Sequence, residues 1–173
     1  MILKIIGAAA ILAGAGGLGF RKALEYRQKI DRLSELERMT EYFRGEIVFH
    51  NSALSEACED IAKQVTEPLS SFLKRVAEKI ERKTGEELKT IWTTEAKTVM
   101  RELSMDEKER EEFIRLGEKL GYLGRDMQEK TLNRYRAFLE KRRYGLEEEQ
   151  KEKTKLYQTL GILGGLFLIL LLL

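Results

Sequence analysis

Residues 104–132 read SMDEKEREEFIRLGEKLGYLGRDMQEKTL, and their apolar period decides the fold class. Phe113, Leu116 and Leu120 recur at three- and four-residue steps, the spacing that lines one face of an α-helix and not of a strand. Ser104 with Glu107, and Asp126 with Glu129, both satisfy the Ser/Thr/Asp-x-x-Glu pattern of a reciprocal helix cap. In that pattern the first side chain accepts from a backbone N–H of the opening turn while the glutamate reaches back. The stretch predicts a helix opening at Ser104, a turn carrying Gly121 and Gly124, and a second helix opening at Asp126. Leu132, Tyr135, Leu139 and Leu146 form the seam of that last helix, and only Gly145 weakens its pattern downstream.

Working outward toward the N-terminus, Tyr26, Ile30, Leu33, Leu36, Met39, Phe43 and Ile47 predict one amphipathic helix from Arg21 to Phe49, continuous with the apolar segment before it. Asn51 and Ser52 can cap a short helix with Leu54, Ala57, Cys58, Ile61 and Val65 on one face. Thr66 can cap a third, with Pro68 in its first turn, Leu69, Phe72, Leu73, Val76 and Ile80 as its stripe, and Gly85 beyond its end. Thr84 with Glu87 would open a fourth bearing Leu88, Ile91, Trp92, Val99 and Leu103. No segment alternates with a period of two. The expected fold class is all-α, a bundle of about six helices with charges on its outer faces. On those faces Glu147 with Lys151 and Glu149 with Lys153 are spaced for ion pairs, each worth ~0.2–0.5 kcal/mol.

The charge is segregated. Every Asp and Glu, and every Lys and Arg except Lys4, lies between Arg21 and Lys155. The C-terminal run LYQTLGILGGLFLILLLL, residues 156–173, would rise roughly 27 Å as a helix, close to the ~30 Å hydrocarbon thickness. Its alternative is a core helix buried in a complex. The Gly- and Ala-rich N-terminal run, residues 1–20, reads as a second span, with an interfacial or re-entrant helix as the alternative. Ala13-Gly14-Ala15 also resembles a signal-peptidase site. Lys151, Lys153 and Lys155 on one inner flank, and Arg21, Lys22, Arg27 and Lys29 on the other, favour a cytoplasmic middle. The expected organisation is a membrane helix over 1–20, a cytoplasmic helical domain over 21–155 and a membrane helix over 156–173. Small residues four apart, Ala9 with Ala13, Ala13 with Gly17 and Gly161 with Gly165, let helix backbones approach closely in lipid.

Several functions are disfavoured by composition. With 31 Lys+Arg against 29 Asp+Glu the chain lacks the positive excess of a nucleic-acid binder. One Cys rules out an intrachain disulfide, and one His leaves no His pair for metal or acid–base work. Gly14 to Gly19 satisfy G-x-G-x-x-G, but a helix-forming run precedes them and no second strand follows. His50 has no oriented carboxylate and nucleophile in its sequence context. Cys58 reads as a small hydrophobe, and Trp92 as a core or interface anchor. The dense glutamates Glu107, Glu109, Glu111 and Glu112 are interleaved with Lys108 and Arg110. No catalytic residue, cofactor or metal site is expected.

One order of motifs is distinctive: Leu116-Gly117, Leu120-Gly121, then Gly124, Asp126 and Gln128. With IIGAAAILAGAGGLGF at the start, a helix ending EIVF, the Leu54–Ile61 helix and the Gly- and Leu-rich tail, the chain resembles the stage III sporulation protein AB family over its whole length. Tyr122 and Leu123 depart from the small polar residues expected between the glycines. The resemblance implies a mother-cell membrane protein around the forespore, in a multi-subunit transport assembly. Its cytoplasmic domain would be similar to the inner-membrane platform protein of type II secretion and type IV pilus machines, contacting a secretion-type ATPase and other membrane subunits. Gly117, Gly121 and Gly124 would serve turns and close packing, and Asp126 a cap. A homo-oligomeric scaffold without ATPase contact is the alternative.

Overall fold

A computed structural model describes residues 2–50, 52–82, 85–121 and 124–172, and their side chains except at 2–22, 48, 49 and most positions from 157 onward. The described residues form helices and turns only. They make six α-helices: α1 (Ile2–Arg44), α2 (Leu54–Ala62), α3 (Leu69–Glu81), α4 (Leu88–Glu102), α5 (Glu107–Leu120) and α6 (Arg125–Leu172), with a π-helical segment over Gly45–His50. Sequence periodicity put the end of the first helix at Phe49. The α-helical pattern instead stops at Arg44 and widens into the π-helix, which Ser52 closes by donating its backbone N–H to the Glu46 carbonyl (3.1 Å) and its hydroxyl to the Glu46 carboxylate (2.9 Å). Among the described residues no helix is long and apolar enough to cross a membrane. The predicted spans, 1–20 and 156–173, fall almost wholly outside the described side chains.

Two compact units divide the chain. One comprises Met1–Asp31 with Arg143–Leu173, the other Arg32–Arg142. In the first, Tyr26 donates its hydroxyl to Glu149 (2.8 Å), Lys153 pairs with Glu149 (2.5 Å) over the Tyr26 ring, and Gln150 donates to the Ala23 carbonyl (3.4 Å). The expected pair of Glu149 with Lys153 is present. Glu147 is taken by Arg143 at 2.7 Å, one turn upstream, where Lys151 was expected.

The second unit holds the core. Leu33, Leu36, Met39 and Phe43 of α1 are fully buried, as are Phe72 and Leu73 of α3, Trp92 of α4, Phe113 of α5, and Leu132 and Leu139 of α6. Four rings meet at the centre. Trp92 lies edge-on to Phe72 (centroids 5.0 Å apart), 5.3 Å from Phe113 and 6.1 Å from Phe43, within the range in which aromatic pairs attract. Its indole N–H donates to the Phe113 carbonyl at 3.0 Å, so the one polar atom of the ring is satisfied inside the core.

Helix starts depart most from the sequence reading. Ser104 is not a cap. It turns the chain with a positive φ of 52°, and Asp106 two residues later takes the N-cap of α5 in a full reciprocal box with Glu109. Aspartate is as good a cap as serine, and its charge also suits the positive end of the helix dipole. Thr66 does not cap α3, which starts after Pro68; its N–H and hydroxyl both donate to Glu35 of α1 (2.7 and 3.0 Å). Ala53 and Glu87 precede α2 and α4 without side-chain caps, and the expected capping residues Asn51 and Thr84 lie outside the described residues. Asp126 is the second residue of α6 and not its cap. Gly85 does adopt the left-handed conformation (φ 78°) that favours glycine.

A Cβ built on Gly117 would sit 2.0 Å from the Trp92 ring, so the indole occupies the space any larger residue would need. Gly117→Ala is expected to lower the unfolding free energy by roughly 1–3 kcal/mol through overpacking. Leu116→Ala, at a site 2 % exposed, should cost about 2–5 kcal/mol. Gly124→Ala, with nothing within 4 Å, should stay within about 0.5 kcal/mol of the parent. Chemical denaturation of the three variants checks this ranking.

Candidate docking surface

The distinctive α5–turn–α6 stretch is built on that core. Leu116 and Leu120 are buried on the inner face of α5, with Gly117 against Trp92. Gly121 ends α5, and a Cβ there would meet the Leu88 side chain. The Gly124 carbonyl accepts from the N–H groups of Met127 and Gln128 in the first turn of α6 (2.9 and 3.0 Å). Gln128 reaches back to donate its side-chain amide to the Leu120 carbonyl at 2.5 Å, tying the start of α6 to the end of α5. Asp126 is exposed in that turn, and Tyr122 and Leu123 lie outside the described residues. The membrane-packing candidates Ala9, Ala13, Gly17, Gly161 and Gly165 lie on helical backbone whose side chains are outside those described.

The same two helices line a cavity of about 350 Å³, with Glu112, Arg115, Leu116, Glu118 and Lys119 from α5 and Thr131, Arg134 and Tyr135 from α6. Arg115 pairs with Glu112 at 2.9 Å, and Lys89 with Glu118 at 3.3 Å. Tyr135 is 3 % exposed, and its hydroxyl is buried without a hydrogen-bond partner among the described residues. Burial, with Glu109 and Glu112 nearby, pushes its ionisation well above the ordinary phenol range, so the group stays an O–H donor. Sequence periodicity marked Tyr135 only as seam. Nothing in one dimension signals the cavity, because its walls come from two helices brought together by the turn.

Two buried carboxylates organise the remaining electrostatics. Glu109, 1 % exposed, completes the α5 capping box and accepts from Arg142 of α6 at 3.0 Å, while Arg142 also bonds Asp106. Glu95 of α4, 8 % exposed, accepts from Lys79 at 2.8 Å and Arg75 at 2.7 Å, both on α3. Burial by itself would raise the Glu95 carboxyl pKa, but the hydrogen bonds from Lys79 and Arg75 outweigh it and hold the group below its ordinary value. Charge density on these helices is thus spent on joining them.

The residues weighed for chemistry fall elsewhere. His50 is exposed, with Nδ1 3.3 Å from Glu46, whose carboxylate also receives the Ser52 hydroxyl. The acid lies between the other two groups, so the imidazole does not address the hydroxyl as a base would. Cys58 is fully buried, and burial, with Glu59 adding to it, pushes its thiol up, away from the reactive thiolate. Gly14 to Gly19 lie inside α1, where the phosphate-binding pattern needs a strand and a turn. Among the described residues no group of three or more His, Cys, Asp or Glu is placed to hold a metal.

The model of the family described as stage III sporulation protein AB matches residues 4–173 of the chain. Stage III sporulation protein AB of Bacillus subtilis (strain 168) is 30 % identical over 171 residues, covering 99 % of each chain. A solved structure of stage III sporulation protein AB (SpoIIIAB) shares 25 % identity and superposes with a TM-score of 0.65, over 72 % of this chain and 98 % of that one.

The Glu95 cluster sets an acid limit. A carboxyl depressed by folding stabilises fully above its unfolded value, 4.5, and the gain is lost as the pH falls through the folded value below it. Glu95→Gln is therefore expected to cost about 1–3 kcal/mol near neutral pH, with the deficit shrinking as the pH drops below 4.5. Denaturation midpoints of parent and variant across that window measure it; a deficit independent of pH would mean that the Glu95 charge is not what joins α3 to α4.

Proposed function

The chain belongs to the stage III sporulation protein AB family, and from that premise we propose that it is a non-enzymatic membrane platform in a sporulation transport assembly. It couples a cytoplasmic secretion-type ATPase to membrane channel subunits between mother cell and forespore. The observation that carries this reading is the extent of the match. The family pattern runs from residue 4 to 173, so it takes in both apolar end segments together with the helical core.

In this reading residues 1–20 and 156–173 cross the mother-cell membrane around the forespore, and 21–155 form the cytoplasmic domain. The basic inner flanks and the apolar ends support that orientation. Ala9, Ala13 and Gly17, with Gly161 and Gly165, are the positions where membrane helices come close. The Tyr26–Glu149–Lys153 cluster supports the pairing, since it ties α1 to α6 within the unit that contains both ends. A platform works by binding, and the charged side chains of the core unit serve that role without chemistry. They join α3 to α4 through Glu95 and α5 to α6 through Glu109, and leave the outer α5–α6 face for a partner.

The test is calorimetric titration of the detergent-solubilised full chain with the secretion-type ATPase of the same organism, at moderate and high salt. Saturable binding that weakens with salt is expected, because the proposed face is charged. No binding by a demonstrably folded chain would overturn the coupling role and favour a scaffold that self-associates through its membrane helices.

A further inference from the structure

Two helix faces of the core unit carry charge that nothing within the unit answers. Between Met127 and Arg142 the acids of α6 are engaged, Glu129 with Arg44 (4.0 Å) and Glu140 with Arg136 (3.5 Å), and Arg136 and Arg142 are held by Glu41 and Glu109. Lys130, Arg134 and Lys141 remain on one face, all exposed and without a hydrogen-bond or ion-pair partner among the described residues. The outer face of α2 is the converse. The cation at its end, Lys63, is taken by Asp60 at 2.6 Å, and the exposed Glu56 and Glu59 have no such partner among the described residues. Both faces lie level with the same stretch of α1. The turns before and after α2 are held to Glu46 and Glu35 of α1 through Ser52 and Thr66, and α6 meets α1 between those points, at Glu41 and Arg44. Glu35 and Glu41 are six residues apart, about 120° around a helix, so the α2–α3 turn and α6 sit on different sides of α1.

We propose that these faces are the two halves of one contact between copies of this chain. The α2 helix of one molecule lies on α6 of another, with Glu56 and Glu59 against Lys130 and Arg134. The spacings agree, since three residues of helix rise about 4.5 Å and four about 6 Å. Ala137, exposed one turn beyond Arg134, leaves room for a second helix to come close. The α6 face does not pair with itself, because cation would meet cation, whereas the α6 face of one copy and the α2 face of another attract. A contact between equal levels also sets the copies side by side in one orientation, as chains anchored in one membrane must lie. Exposed ion pairs are individually weak and screened by salt, so the contact is slight between free molecules and gains when copies are confined together. Only for that confinement does the proposal rest on the platform reading.

The test is light scattering of the detergent-solubilised full chain over a range of protein concentrations, at roughly 0.01 M and about 1 M salt. The average mass should rise with concentration at low salt and fall back to that of a single chain at high salt. Lys130→Glu with Arg134→Glu should abolish the rise, and so should Glu56→Lys with Glu59→Lys. All four side chains are exposed, so both variants should keep the thermal midpoint of the parent. Mixing the two variants should restore association, because the α2 face of each then meets an α6 face of opposite charge on the other. In the parent, zero-length carbodiimide coupling of isotope-labelled with unlabelled chains should join Glu56 or Glu59 of one copy to Lys130 of another. A single-chain mass at every concentration at low salt would overturn the proposal, as would variants that fail to associate when mixed. Association that survives both charge reversals and high salt would also overturn it, and would assign self-contact to the apolar ends. The ATPase titration decides the coupling role separately: its failure leaves the concentration-dependent mass in place, and a single-chain mass leaves ATPase binding in place.

Discussion

The indole of Trp92 lies directly on the bare backbone of Gly117, and the core unit depends on that contact. Because position 117 has no side chain, α4 and α5 approach closely enough for the indole to lie on α5 and donate to the Phe113 carbonyl of that helix. Phe43 from α1 and Phe72 from α3 then close on the same ring, so one residue touches three other helices. A ring of this size buries more apolar area than any aliphatic side chain, and its N–H, once bonded, fixes its orientation. The position of α5 follows from Trp92. That of α6 follows from α5, through Gln128 at one end and Arg142 at the other.

How much of this was legible depended on whether the signal was periodic or relational. The stripes of α1, α3, α5 and α6 are properties of a single helix, and Leu33, Phe72, Phe113 and Leu132 are buried where their spacing put them. Gly117 and Gly121 stood out in the sequence as Leu-Gly steps, but their use could not be read there, because Trp92 and Leu88 come from another helix. Caps were least legible. Ser104-x-x-Glu107 and Asp106-x-x-Glu109 overlap, and local pattern alone does not say which opens the helix. The left-handed Ser104 and the Arg142 side chain on Asp106 and Glu109 decide it. Thr66 likewise left its expected cap for Glu35, a residue 31 positions away.

Function follows from the same division. Pairing inside the unit joins its helices, Glu95 to Arg75 and Lys79 and Glu109 to Arg142, and such pairs between helices are features that one sequence cannot display. The apolar ends are the reverse case. Their composition, free of charge apart from Lys4, is plain in the sequence, and the family match extends across them. The proposed platform role needs a rigid core, a docking face and an anchor, and in that proposal different parts of one chain contribute them.

Trp92 is the sole tryptophan of the chain, so its fluorescence reports on the contact at the centre of this account without interference. Acrylamide quenching of the folded full chain, followed through denaturation alongside far-ultraviolet dichroism, tests it most directly. A blue-shifted emission shielded from quencher, lost in the same cooperative transition as the helical signal, is the predicted result. An indole open to quencher while the helices are still intact would contradict the packing of Trp92 on Gly117, and with it the arrangement of α5 and α6 that rests on that contact.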